Sequence, residues 1–325
     1  MMSIRRVVTV CIALLVSASL AGAQPAAKKD DKKRNKQEQA EIEQLVKLVD
    51  GVMAGQPAPT DVKLSIEPYF MKSQESRTFV PFVLNVTDAP QTDVAMYVRV
   101  VSPSAEPPAK GKKVEYPWDD IHFVPAAQLG TGTAKLQRVF MATAGTYDVY
   151  IAVKERLPEK APKTQVAKTG VLKTQVVVPD FYNAELNTSS ILVTDKVNML
   201  TAAISPDEAR ERPFVFGAQE LVPAADMEFK KSEELSIFFQ VYNSGLDPAG
   251  KPNLTLEYEF HKKEGDGEKF FNKTNPQNVN ATNLPPTFDP AKFPVPGGIP
   301  CRWPRLRRAL TACPSRSATR RPTRL

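Results

Sequence analysis

Ala144-Gly145-Thr146-Tyr147-Asp148-Val149-Tyr150-Ile151-Ala152-Val153 decides the fold. Gly145 offers a turn position, and after it Tyr147, Val149, Ile151 and Val153 fall on alternate residues. Successive Cβ atoms of a strand point to opposite faces, so this period of two reads as a β-strand with one apolar face. The period continues outward in both directions. Leu136–Ala142 leads in through Thr143-Ala144-Gly145, preceded by Ile121–Val124, Val94–Val101 (VAMYVRVV) and Phe79–Thr87 (FVPFVLNVT). DAPQTD at 88–93 supplies turn chemistry, and Val62, Leu64 and Ile66 alternate with Lys63, Ser65 and Glu67. Downstream, Leu157–Lys168 is rich in Pro, Lys and Ala and reads as an exposed loop or hairpin, and Val171–Val178 as a closing strand. Short strands without helical periodicity between them predict an antiparallel sandwich and exclude a βαβ fold.

The Gly-x-Tyr start of the deciding strand resembles strand F of immunoglobulin-like domains. There a tyrosine hydroxyl pins a corner by bonding upstream backbone, and Val149 stands where antibody domains carry their second cysteine. A second pass of the pattern follows Pro179-Asp180. Ser190–Val193, Phe214–Phe216, Glu234–Tyr242 (ELSIFFQVY) and Leu254–Phe260 (LTLEYEF) read as strands, and Ser205–Arg212 as a polar loop. Gly265-Asp266-Gly267 marks a hairpin, and the Pro- and Asn-rich run 275–298 reads as loop. The expected fold class is all-β: two tandem immunoglobulin-like antiparallel β-sandwich domains after a signal peptide and a short amphipathic helix. The domain plan is a signal peptide over 1–23, then a charged leader, helix and linker over 24–60. Sandwiches follow over 61–179 and 180–300, the second incomplete, and an arginine-rich tail over 301–325. Limited proteolysis is expected to separate the sandwiches near Pro179-Asp180.

Arg5-Arg6, the apolar run Val7–Leu20 and Ala21-Gly22-Ala23 have the layout of a cleavable secretory signal, so the mature chain is expected to begin at Gln24. An apolar run of about 14 residues is short of the ~20 that span a bilayer. The chain is therefore expected to be exported, periplasmic or extracellular, without a transmembrane span in its mature form. Residues 24–40 (QPAAKKDDKKRNKQEQA) lack large apolar groups and read as a solvated leader. Ile42, Leu45, Val46, Val49, Val52 and Met53 fall at helical spacing, which predicts an amphipathic helix over about 36–54 ended by Gly55 and the Pro57/Pro59 pair. Its apolar stripe is expected to dock on the first sandwich or to self-associate.

The formal charge of +7 is uneven. With the tail's eight arginines and Arg5 and Arg6 set aside, residues 24–300 carry −3, which excludes a global field for nucleic acid. Cys11 leaves with the signal peptide and Cys301 and Cys313 lie in the tail, so no disulfide holds the body together. The tail has no lysine or acidic residue. It reads as GC-rich codons out of phase. From the third base of the Pro300 codon the genetic code permits V-P-L-A-S-F-A-P-G-T-Y-R-L-S-I-K-V-S-D-T-A-T-D-A-A. That string repeats the Gly-Thr-Tyr start and apolar alternation of 145–153 where the second sandwich otherwise lacks this strand. The competing reading is a basic arm for nucleic acid or lipid.

No catalytic, cofactor-binding or metal-binding set emerges, and no GxSxG, HExxH or P-loop pattern occurs. His122 and His261 are the only histidines and are read as lacking ligand partners at useful spacing. Asp119-Asp120 beside Trp118 suggests a cation or sugar site, against a strand entry with exposed acids. Asn85-Val86-Thr87 and Asn253-Leu254-Thr255 match the N-glycan acceptor pattern by chance. Val178-Pro179-Asp180-Phe181, Leu186, Ser189-Ser190-Ile191, Asp195 and the strand FFQVYN (238–243) are similar to a sandwich region of secreted bacterial proteins that carry GWxTD or von Willebrand-type domains. The GWxTD motif itself is absent. The resemblance implies secretion and sandwich architecture over about 60–300, with no active site. The expected function is that of an exported, non-enzymatic interaction or structural protein whose partner is an envelope protein or glycan. One alternative is an accessory carbohydrate- or peptidoglycan-binding module using Tyr116, Trp118 and Phe123; an enzyme with an unrecognised site is the other.

Overall fold

The computed structural model describes residues 34–73, 75–103, 114–158, 160–162, 164–224, 227–230, 234–302 and 315–320. The expected signal peptide and cleavage site lie outside them, as do the first part of the leader and most of the arginine-rich tail. The protein is all-β, built of antiparallel sheets with three helices among the described residues, and none of those helices is long and apolar enough to cross a membrane. It forms two compact units, one of Ala23–Asp180 with Ser205–Pro213, the other of Phe181–Ile204 with Phe214–Leu325. Ser205–Pro213, between strands of the second half in sequence, thus belongs to the first unit.

The first unit opens with α1 (Lys36–Met53) and runs through β1 (Lys63–Pro68), β2 (Met71–Lys72), β3 (Thr78–Thr87), β4 (Val94–Val101), β5 (Trp118–Val124), α2 (Ala126–Leu129), β6 (Ala134–Ala142), β7 (Gly145–Glu155) and β8 (Thr169–Val178). β1 and β2 pair with β3, which also pairs with β6; the other sheet has the order β5-β4-β7-β8. Alternate residues of facing strands fill the space between the sheets: Phe82 and Leu84, Met96 and Val98, Leu136 and Phe140, Val149 and Ile151. The chain crosses β8 so closely at its start that a Cβ on Gly170 would lie 2.1 Å from the Val62 carbonyl oxygen. Tyr147 does pin the corner, with a correction to the expected partner: its hydroxyl lies 2.8 Å from Oγ1 of Thr143, a side chain rather than backbone.

α1 covers the outer face of the second sheet. Asn35 and Glu38 cap its start reciprocally, with Oδ1 of Asn35 accepting from the Glu38 amide at 2.8 Å. Leu45 and Val49, one turn apart, are fully buried against Ala95, Tyr97, Tyr150, Ala152 and Val171. Asp50 pairs with Arg99, whose Nε donates to the Tyr97 hydroxyl at 2.8 Å, and Glu41 pairs with Arg156 at 2.8 Å.

The second unit comprises β9 (Asn187–Thr188), β10 (Leu192–Met199), β11 (Val215–Phe216), β12 (Gln219–Pro223), β13 (Glu234–Tyr242), β14 (Leu254–Glu264), β15 (Gly267–Lys273), β16 (Gln277–Val279), β17 (Val295–Arg302) and β18 (Ser315–Arg320). One sheet has the order β11-β12-β10-β13-β17, with β9 also on β13. In the other, β14 pairs with β15, β16 and β18. Ile237, Phe239 and Val241 of β13 pack on Leu254, Leu256 and Tyr258 of β14 and on Phe288 and Val295. Asn243 adopts φ 54° and donates its amide to the carbonyls of Phe181, Asn183 and Glu185 at 2.8–3.1 Å, which fastens the entry of this unit to the end of β13. The run 275–298, expected as loop, holds β16 and the start of β17, because Val295 and Ile299 close the core.

Candidate functional site

β5 sets the site. Trp118, Asp120, His122 and Val124 share the parity of the core-facing residues, and Trp118 and Val124 join the core. On β6, Arg138 takes the inward position between Leu136 and Phe140, and it is 2% exposed. The third contributor is α3 (Pro206–Glu211), which packs on β6. Ser205–Arg212 is therefore a capped helix rather than the expected polar loop. Oγ of Ser205 accepts from the Glu208 amide, Oε2 of Glu208 accepts from the Ser205 amide, and Pro206 opens the first turn. Ala209 is buried, and Arg210 reaches the Asp120 carboxylate.

Both oxygens of Asp120 accept from Nη2 of Arg210, its Oδ1 also accepts from the Ile121 amide at 2.9 Å, and its Oδ2 lies 3.2 Å from Nε2 of His122. Burial alone would raise the Asp120 carboxyl; the hydrogen bonds and charges of His122 and Arg210 outweigh it and bring the carboxyl down to about 2. Burial lowers His122, Asp120 opposes that, and the positive charges of Arg138 and Arg210 add to it. The cluster at neutral pH is thus a carboxylate, a neutral imidazole and two guanidiniums. Burial also lowers Arg138, against the attraction of Glu211 and Asp120. Nη1 of Arg138 donates to the Gln137 carbonyl at 2.7 Å, whereas its Nε and Nη2 and the indole N–H of Trp118 meet no acceptor among the described residues.

The structure redistributes the residues singled out in the sequence. Asp119 is exposed, but the Asp120 side chain is only 10% exposed and ion-paired, so the doublet is not an exposed acidic entry. Each histidine has a carboxylate two residues before it on the same strand: Asp120 for His122, and Glu259 at 3.5 Å for His261. A search of the sequence for partners at metal-ligand spacing does not pick out these pairs; the i,i+2 spacing on a strand is their signal. Trp118 is 8% exposed and lies in the core, while Tyr116 stacks on Arg99 and Phe123 on Arg156 at the helix-covered face. Tyr116, Trp118 and Phe123 form no common exposed platform. Arg138 and Arg210 were missed altogether, although an arginine at core parity in LQRVFMA and the Ser-x-x-Glu box of SPDE were both on view. No group of three or more His, Cys, Asp or Glu side chains suited to a metal occurs among the described residues. No family model matches the chain, and no curated protein matches it.

Proposed function

We propose that the chain is an exported, non-enzymatic interaction or structural protein, periplasmic or extracellular, that presents two β-sandwiches to an envelope protein or glycan. The observation that carries this reading is the use made of its part-buried ion pairs. Arg99 and Arg156 hold α1 on one sheet, and Asp120 holds α3 through Arg210. Charged chemistry is spent on fastening chain segments to a sandwich, as a scaffold requires. The signal-like start and the resemblance to secreted bacterial sandwich regions support export.

The test is affinity capture from an envelope fraction with the tagged mature chain, read by quantitative mass spectrometry against an unrelated tagged sandwich. Enrichment of a defined envelope protein or glycan, at a ratio near one to one, supports the reading. Turnover of a substrate in a hydrolase and transferase screen, lost in Asp120→Asn, overturns it.

A further inference from the structure

We propose that the first unit binds a small oxyanion, of the phosphate, sulfate or carboxylate class, on the Nε–Nη2 edge of Arg138 beneath α3. Nε–H and Nη2–H of a guanidinium lie side by side in one plane and match two oxygens of a single oxyanion. In Arg138 these are the two donors that meet no acceptor among the described residues, on a side chain that is 2% exposed. Such a group left unpaired is among the costliest arrangements a folded chain can hold.

The surrounding charges point the same way. Asp120 is the carboxylate that reaches into this cluster, and its oxygens are already engaged by Arg210, the Ile121 amide and His122. Glu211, on α3, acts on Arg138 through space but is exposed. His122 brings no negative charge. Two guanidiniums thus face one saturated carboxylate, and one further anion balances the cluster. Leu136 and Phe140 flank Arg138 on its own strand face, and α3 packs on β6, so the covered position of this edge favours a small free ion over a headgroup held on a membrane or a protein side chain. Entry requires Ser205–Pro213 to lift; once bound, the anion sits against both arginines and holds that segment down. This inference is independent of the partner proposed above.

The experiment is thermal unfolding of the full mature chain in inorganic phosphate, sulfate, acetate and chloride at fixed ionic strength, with hydrogen exchange read at Ser205–Pro213. Saturating oxyanion is expected to raise the first unit's Tm by on the order of 5–10 °C at a hundredfold excess over Kd and to slow exchange in that segment. Arg138→Met, which keeps the stem without the charge, should lose the saturable part. Should that variant fail to fold, Arg138→Lys keeps the charge without the two-donor edge and should bind at least about tenfold more weakly. A rise that is absent, or that is non-saturating and equal in wild type and variant, overturns the proposal. So does a loss of stability in Glu211→Gln without any anion response, which assigns the arginine edge to Glu211.

Discussion

The central strand of one sheet in each sandwich is paired on both edges, and one edge differs sharply between the two units. In the first, β4 lies between β5 and β7, and β7 contributes Tyr147, Val149, Ile151 and Val153 to the core, none more than 6% exposed. In the second, Leu254 of β14 pairs with Val279 of β16 on one edge and with Arg320 of β18 on the other. β18 occupies the place that β7 holds in the first unit. Its six residues, Ser-Arg-Ser-Ala-Thr-Arg, include a single apolar one, Ala318. A strand position is filled in both sandwiches, but only the first fills it with residues that can close a core. Backbone pairing sets topology, and apolar side chains supply most of the stability.

The sharpest way to break this contrast is to install the sequence that the alternative reading frame permits. Replacing 301–325 with the alternative translation puts tyrosine, leucine, isoleucine and valine at 311, 313, 315 and 317. Burying them in the second core should add on the order of 5 kcal/mol or more to that unit, read as a shift of its transition in chemical denaturation of the whole chain. The register should also slip. At present Ser315 and Ser317 pair with Glu259 and Glu257. A one-residue slip sets 315 opposite Tyr258 and 317 opposite Leu256, both core residues, and it flips the whole strand at once. No gain in stability, or a gene whose shifted codons lack Gly-Thr-Tyr and the alternation, leaves 301–325 as a basic arm.

A smaller test stays within single residues. Ile151→Ala in β7 removes a fully buried side chain and should cost the first unit about 3 kcal/mol. Ala318→Ser in β18 should change the second by less than about 0.5 kcal/mol. Equal costs in denaturant titrations would erase the asymmetry.

The units should also part company in acid. Folding lowers Asp120 from 3.8 to about 2, so the stability it lends is complete above pH 3.8 and lost as pH falls through 2. That amounts to about 2 kcal/mol, a figure that applies because the side chain is only 10% exposed. His122 is a base lowered below 6.5, so the folded unit binds fewer protons than the unfolded chain and loses stability as pH drops below 6.5. A denaturation midpoint followed from pH 7 to 2 should fall for the first unit. His122→Gln should flatten the upper part of that fall and Asp120→Asn the lower. A flat wild-type profile refutes both assignments.

What could be read from the sequence follows from how local each signal was. Phe79–Thr87, Val94–Val101 and Tyr147–Val153 were legible as apolar runs of strand length whose alternate residues (Phe82 and Leu84, Met96 and Val98, Val149 and Ile151) face the core, the other face of the last two being covered by α1, and each strand lies within a residue or two of its expected bounds. α1 was legible because Leu45 and Val49 recur at helical spacing above a single face. β12 and β17 were not: QELVP and VPGGIPCR show no alternation, and their places depend on β10 and β13, distant in sequence. The buried cluster was hidden for the same reason. Arg210 lies 90 residues from Asp120, and the capping box of SPDE marks a helix without saying which sandwich receives it.

The most local expected effect concerns the corner that opens β7. The Tyr147 hydroxyl meets Oγ1 of Thr143, and Gly145 between them adopts φ 151° with its Cα beside the tyrosine ring; a Cβ there would sit 3.6 Å from the ring edge. The corner is thus held by a side-chain bond within five residues and by ring packing that the hydroxyl does not govern. Tyr147→Phe keeps the ring and should cost about 1 kcal/mol. Thr143→Val should cost a similar amount, because it leaves the same hydroxyl without its partner, and the double variant should cost less than the two single changes together. The second sandwich with 301–325 replaced carries a Gly-Thr-Tyr of its own but has Arg307 replaced by alanine four residues before that tyrosine, where the first has Thr143. Its tyrosine-to-phenylalanine change should therefore be nearly silent. A cost near 1 kcal/mol in both units would mean that the hydroxyl is held by backbone in each, and that the Thr143 contact is incidental.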